Sequence, residues 1–521
     1  MELVKKVSKD CNVALVRWPI VFREGAVNNE ATPAVAYAYI SAYLRKKGYK
    51  TVMVDAIGEG INKIWKLKKY PGFKCQGLTF KEIIHRIPKE VDVIGFSTMF
   101  SGEWPVIRDF IIETRKHFPK ALFVAGGEHI TALTEYSLRD CPALDVCIRG
   151  EGEETFYQLL EVYRKKKTFK GVNGVGYLDK KGRYQQGKGI RRIEDINTIP
   201  WPHWPEGYLE KFWESERSYG ISTKRDMPLL FSRGCPYQCK FCSNITMWGH
   251  KYKLRDIDDI IKEVKHYIKK YNITSIQLYD LTAIVSKDWI IKFCQSVIKE
   301  GIKLNWSLPS GTRSEALDKE TLSLLKKIGC NYLVYAPESG SQKTLNIVKK
   351  QIQLKKITQS ILEAKRQGLT LRANLIIAFP HERLWDIFKT LSYGLRLSIK
   401  GVDEVPLFIF YPYPGTEIFQ KLLDKKKIVL NDDFFFKLNP LNSDYLSTNV
   451  LSYNPHISAR MLGIIRTIFM LMNYGIGYLF YPQRIFRTIK NLFSKGKATT
   501  VFEHRLKNLF SRKFSEKRCI N

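Results

Sequence analysis

Residues 232–243, SRGCPYQCKFCS, hold three thiols close together at Cys235, Cys239 and Cys242. A loop containing Gly234 and Pro236 can turn three sulfurs onto one centre, which a regular strand or helix at this spacing cannot. Thiolates favour iron–sulfur clusters or zinc. Structural zinc takes four protein ligands. The nearest fourth candidate is His250, eight residues past Cys242. Three cysteines on a four-iron cubane leave one iron open, and an open iron is what substrate chemistry requires. Ligand count therefore favours the cluster, with zinc as the alternative.

The elements around this loop suggest a barrel. The short strand PLLFS precedes it, and SIQLYDLTAI, IKLNWSLPSG, CNYLVYAPESG, LTLRANLIIAFP and VDEVPLFIFYPYPG follow, separated by helical patterns. Six strand–helix units in about 200 residues are too few for a closed eight-stranded barrel. Polar residues at the C-terminal strand ends are the site candidates: Asp280, Arg313, Glu338 and Ser339.

Residues 1–165 alternate apolar runs (NVALVRWP, KTVMVDAIG, VDVIGFSTM, ALFVAGGE, LDVCIRGEG) with amphipathic stretches such as AYAYISAYLRKKG. That pattern predicts an α/β doubly wound parallel sheet with helices on both faces. Its ligand would lie at the C-terminal strand ends, where Ser97, Gly126, Gly127 and Gly150 gather. Small residues there let a large flat ligand approach the backbone, although each glycine also has a plain reading as a tight turn. Residues 166–222, with NTIPWPHWPEGY, read as a linker, residues 223–425 as the barrel, and residues 426–521 as a basic, apolar helical extension.

The composition is globular, with 44% hydrophobic residues and a formal net charge of +34. Ten cysteines spread along the chain suit a reducing, cytoplasmic setting, and the N-terminus shows no apolar stretch of signal-peptide length. Excess positive charge invites an anionic partner without choosing among nucleic acid, membrane and acidic small molecules. From Gln483 onward there are eleven Lys or Arg against two Glu, following the apolar stretch LGIIRTIFMLMNYGIGYLF. Two readings stay open: peripheral contact with the inner face of a membrane, or a helical cap packed on the barrel. No RNA-binding module is visible, so nucleic acid is not the expected partner.

C-x3-C-x2-C with Phe241 before the last cysteine resembles the defining motif of the radical S-adenosylmethionine (SAM) superfamily. DAIGEG (55–60) has the spacing of the D-x-H-x-x-G signature of cobalamin-binding domains, with Ile57 at the histidine position. With GFSTMFS and VAGGEH, the chain resembles cobalamin-binding radical SAM enzymes. The resemblance implies a [4Fe–4S] cluster on Cys235, Cys239 and Cys242, with SAM chelating the open iron. It implies adenine near Phe241, and cobalamin at the first sheet without a histidine ligand. Glu338 and Ser339 resemble residues that contact the methionyl or ribose groups of SAM, Arg313 would pair with its carboxylate, and Asp280 stands where relatives carry a Gly-Glu pair. IIAFPHER departs from the family's GFPGET, with Ala378 and His381 replacing glycines, which puts His381 and Glu382 forward as proton-handling groups.

The activity implied is methylation of an unactivated carbon of a small molecule through a 5′-deoxyadenosyl radical, with an electron from a flavodoxin- or ferredoxin-type donor. The basic, apolar tail leans toward a lipid, isoprenoid, porphyrin or glycan precursor. Cyclisation, as in the anaerobic magnesium-protoporphyrin monomethyl ester cyclase, is the near alternative. A tRNA methylthiotransferase is the remoter one, and would need a small C-terminal RNA-binding barrel and three N-terminal cysteines for a second cluster, for which Cys11, Cys75, Cys141 and Cys147 are the candidates.

Overall fold

The computed structural model describes residues 12–24, 26, 31–190, 192–219, 223–439, 450–493, 499, 500 and 503. Cys11 and the basic run after residue 503 lie outside them.

The first half contains strands β1 (Asn12–Arg17), β2 (Ile20–Arg23), β3 (Lys50–Asp55), β4 (Ile64–Lys66), β5 (Phe73–Gln76), β6 (Val93–Ser97), β7 (Leu122–Gly126), β8 (Val146–Ile148), β9 (Val175–Leu178) and β10 (Tyr184–Gln186). Strands β3, β1, β6, β7 and β8 form a parallel sheet in that order, as the apolar runs predict. Both faces are covered, so β1 and β7 are apolar and buried throughout their middles.

Two features depart from the expected plan. The predicted linker contributes the hairpin β9–β10, which extends the same sheet antiparallel beyond β8. Its turn follows from Asp179, whose carboxylate accepts the Lys181 and Arg183 backbone N–H groups, and from Gly182 at φ 72°. The rest of that segment is packed, with Trp204, Tyr208 and Phe212 buried and the Tyr208 hydroxyl donating to Asp55 at 2.6 Å. In addition, β2, β5 and β4 form a small antiparallel sheet that residues so short did not announce.

The second half contains β11 (Asp226–Leu229), β12 (Ser232–Arg233), β13 (Lys253–Leu254), β14 (Ser275–Leu278), β15 (Asn305–Thr312), β16 (Cys330–Glu338), β17 (Thr370–Ile377) and β18 (Leu407–Ile409). Six of these, β11 and β14–β18, form one parallel sheet in sequence order, the partial barrel that the pattern predicts. The β12–β13 ribbon flanks the cysteine loop. Along β17, Leu371, Ala373, Leu375 and Ile377 are fully buried, while Arg372, Asn374 and Ile376 alternate with them on the inner side.

The C-terminal region braces both halves. Helix Asp432–Leu438 reaches the first half, where Arg108 holds Asp432 at 2.7 Å and Phe436 packs on Phe73. Helix Ala459–Phe480 lies on helix Leu384–Ile399, close enough at Gly394 that an added Cβ would stand 2.6 Å from Phe469.

Gly234 opens the cysteine loop at φ 83°, and a Cβ there would lie 2.1 Å from the Lys251 carbonyl oxygen. Backbone, rather than a flexible side chain, would have to move. Gly234→Ala is therefore expected to unseat the loop, lowering bound iron to well under half of wild type in colorimetric iron and sulfide analysis. Full iron in that variant would contradict this account.

Candidate active site

The C-terminal ends of both sheets open into one cavity of about 850 Å³. Its wall is mostly apolar. Ser97, Gly126, Gly127 and Gly150 line it from the first half, and Phe241, Asp280 and Glu338 from the barrel.

Asp280 is buried at the end of β14. Its carboxylate accepts the Phe231 N–H at 3.0 Å, the Ser232 N–H at 2.6 Å and the Ser232 hydroxyl at 2.5 Å. These bonds fix the strand leading into the cysteine loop. Burial pushes Asp280 up to about 6, opposed by those donors. The Thr282 hydroxyl stands 3.6 Å from Cys235 Sγ. Cys239 is buried, Cys235 half-buried and Cys242 exposed.

Glu338 adopts a left-handed backbone, φ 64°, which a non-glycine residue holds only when its surroundings enforce it. Its Oε1 accepts from buried Lys350 Nζ at 2.8 Å. Burial opposes the Lys350 charge, but Glu338 and Cys239 outweigh it, so the pKa is raised. Phe241 packs against Phe379 with ring centroids 5.4 Å apart, joining the cysteine loop to the FPHE turn.

Seven predicted residues do not line the cavity: Cys235, Cys239 and Cys242, whose loop borders it through Gly234 and Phe241, and Arg313, Ser339, His381 and Glu382. The Arg313 guanidinium donates to the Lys350 and Gln351 carbonyls at 2.7 and 2.8 Å, pairs with Glu315 at 2.5 Å, and lies 3.4 Å from the Tyr237 ring centre. It ties two barrel loops together in place of the expected carboxylate contact. Ser339 is fully buried, bonded to Thr390 at 2.9 Å and accepting the Ser341 N–H. Glu382 is fully buried too, accepting the Thr344 hydroxyl and the Phe379 N–H at 3.0 Å each. His381 is half-buried and stacks on Phe379, and burial lowers its pKa. The proton-handling pair suggested by position is thus a pair that shapes the turn. Asn454 completes it, its amide donating to the Phe379 and Glu382 carbonyls at 2.7 and 2.8 Å.

The halves meet through a buried ion cluster. Arg233, two residues before Cys235, pairs with Glu153 at 2.5 Å and Glu151 at 3.3 Å. All three are at most 8% exposed, and Glu151 also accepts the Ile193 N–H at 2.7 Å. Glu128, on the same cavity wall, accepts from the Ser243 hydroxyl beside Cys242. Sequence reasoning missed these residues, along with Lys350 and Asn454. Arg233 and Glu151 lie inside quoted motifs and Glu153 two residues further on, but nothing in the chain links positions 80 residues apart.

Two tests bear on the implied cofactors. At Gly127 and Gly150 the backbone requires glycine, with φ 104° and 77° and protein atoms 2.6 and 2.2 Å from an added Cβ. At Gly126 nothing in the protein comes nearer than 3.7 Å, so the missing side chain there is room on the cavity wall. Ile57 lines the cavity and none of the described histidines does, so the wall fits a corrinoid without a histidine ligand. His129 of the VAGGEH motif is instead buried against Trp104, its pKa lowered by burial to about 3. Among the described residues no three Cys, His or carboxylate groups are gathered for a single metal ion, the cysteine trio included, so its geometry does not choose between zinc and a cluster. Of the cysteines considered for a second cluster, Cys11 lies outside the described residues, and Cys75, Cys141 and Cys147 are buried in the core and do not line the cavity.

Residues 26–160 match the B12 binding domain family and residues 229–393 match the Radical SAM superfamily. With both domains opening on one cavity, the chain belongs to the cobalamin-binding radical SAM enzymes. An uncharacterized methyltransferase of Pyrococcus horikoshii is 25% identical over 390 residues, covering 74% of this chain and 78% of its own. The cytidylyl-2-hydroxyethylphosphonate methyltransferase of Streptomyces wedmorensis is 27% identical over 423 residues, covering 75% and 78%. The solved structure of the cobalamin-dependent SAM radical enzyme OxsB superimposes with a TM-score of 0.62 at 18% identity, over 97% of this chain and 71% of that one.

Breaking a buried pair from one side strands the remaining charges, at a cost of ~3–5 kcal/mol. Arg233→Met is expected to lose stability on that scale in denaturant unfolding, with Arg233→Lys intermediate. Burial also pushes Glu382 up to about 7. Its folded value lies above the unfolded 4.5, so its contribution is complete below pH 4.5 and is lost as pH rises through 7. That gap corresponds to about 3 kcal/mol. Between pH 5 and 8.5 the unfolding midpoint should fall further in wild type than in Glu382→Gln, and parallel curves would contradict the assignment.

Proposed function

We propose that the protein methylates an unactivated carbon of a small molecule. The observation that carries this reading is the single cavity on which the cysteine loop and the glycine-edged sheet ends converge. When bound, the cluster and SAM supply a 5′-deoxyadenosyl radical, and cobalamin supplies the methyl group. Cys235, Cys239 and Cys242 would hold the cluster, and Phe241 and Glu338 would border SAM. Ser97, Gly126, Gly127 and Gly150 would border the corrinoid.

The chain's own residues hold this geometry and exclude water. Asp280 fixes the entry to the cysteine loop, Lys350 orients Glu338, and the Arg233 cluster sets the two cofactor walls against each other. Phe408, Phe410, Tyr411 and Tyr413 add aromatic surface to the barrel side of the cavity. Such a wall suits a largely apolar substrate of the lipid, isoprenoid, porphyrin or glycan-precursor kind. The electron comes from an external flavodoxin- or ferredoxin-type donor.

The test is anaerobic reconstitution with cobalamin, analysis of iron and cobalt, then incubation of candidate substrates with methyl-labelled SAM and a low-potential reductant. Methyl transfer predicts labelled product with one S-adenosylhomocysteine and one 5′-deoxyadenosine per turnover. Product formed with 5′-deoxyadenosine but no S-adenosylhomocysteine would replace this reading with cyclisation.

A further inference from the structure

The two C-terminal helices both show apolar residues on their outer sides, and the shorter one is amphipathic in the reverse sense. Helix Gln483–Phe493 turns its polar side inward. Arg484 donates to the Gly401 and Val402 carbonyls at 2.7 and 3.2 Å and lies 3.5 Å from Asp403, while Asn491 donates to Glu503 at 2.8 Å. Its apolar residues Ile485, Phe486, Ile489 and Phe493 face outward, with Phe486 74% and Phe493 89% exposed. Helix Ala459–Phe480 is apolar on both sides, with Leu462, Phe469 and Met470 buried on its inward side. Arg466 and Asn473, which interrupt its apolar sequence, are buried, the latter bonded to Ser398. Met461, Ile464, Ile468, Leu471, Met472 and Leu479 are exposed, Leu471 at 66% and Leu479 at 77%.

Eleven of the 25 exposed large apolar side chains among the described residues fall on these two helices of 22 and 11 residues. A surface helix in water shows the opposite pattern. Rotating the short helix to hide its apolar side would strip Arg484 and Asn491 of their inward partners.

Charge selects the occupant. Neither helix contains an acidic residue, and Arg460 and Lys490 are exposed along them. The whole chain carries +34. A second copy of this face would set cations against cations, whereas an anionic lipid surface complements both the apolar and the basic groups. Helix Ala459–Phe480 is long enough to cross a bilayer. Its inward side is nevertheless committed to the barrel through Asn473 and Phe469, so it lies along the surface.

We infer that the outer faces of helices Ala459–Phe480 and Gln483–Phe493 form a docking surface for an anionic lipid membrane, seating the enzyme in the plane of the headgroups. This rests on the helix faces alone and stands whatever reaction the cavity performs.

The experiment is vesicle flotation of the full chain with 1:1 phosphatidylglycerol/phosphatidylcholine and with phosphatidylcholine alone, alongside light scattering in solution. Wild type is expected to float with the anionic vesicles and at least tenfold less with the neutral ones. Leu471→Glu/Phe486→Glu is expected to lower anionic-vesicle binding at least tenfold, with an unchanged circular dichroism melt. Ile468→Glu/Phe493→Glu serves as an independent pair if the first fails to fold. Undiminished binding by a folded variant would overturn the inference, since basic residues elsewhere would then carry it. A wild-type dimer that ignores vesicles and is split by the same substitutions would overturn it in favour of a protein interface.

Discussion

Arg233, held between Glu151 and Glu153, is the interaction on which the rest of the site depends. It stands two residues before Cys235, and its partners stand at the glycine-rich end of the first sheet. Coulomb attraction in a dry interface is strong, but only when every charge is met. Here one guanidinium is shared by two carboxylates, and the Ile193 N–H donates to the other Glu151 oxygen, so the extra negative charge is met by a backbone donor. One buried cluster thus sets how far apart the two cofactor walls stand.

Around that joint, the barrel side is braced by groups that never reach the cavity. Arg313 ties two loops, Glu382 and Asn454 hold the FPHE turn from within and behind, and Ser339 is bonded to Thr390. Radical chemistry needs its reacting carbon held in one place. A rigid outer layer of saturated hydrogen bonds suits that demand, and it explains why polar residues crowd the strand ends without all facing the cavity.

The apolar runs of both halves were legible in the sequence because parallel strands buried on both faces have a strong pattern. Strands β7, β15 and β17 stand where those runs lie. The β9–β10 hairpin was not legible, since its Asp-Lys-Lys-Gly turn and half-buried strands resemble a polar linker. At the site, the motif comparison singled out the replaced glycine at Ala378, which the structure finds at the left-handed φ of 69° that explains the family's glycine. Spacing says nothing about which way a side chain points. Arg313, Ser339, His381 and Glu382 were therefore placed at the right strand ends and given the wrong surroundings.

The helix Asp432–Leu438 carries a consequence for how the chain is made. Phe436 completes a small core with Val21, Cys75 and Val106, and Asp432 bonds to Arg108 across 324 residues of sequence. At ribosomal rates of about 5–20 residues per second, roughly 15 to 65 seconds separate the synthesis of those two halves. Throughout that interval the first half leaves the ribosome with an unfilled apolar hollow. Its completion waits on the far side of the barrel, so the earliest domain to be synthesised is among the last to be finished.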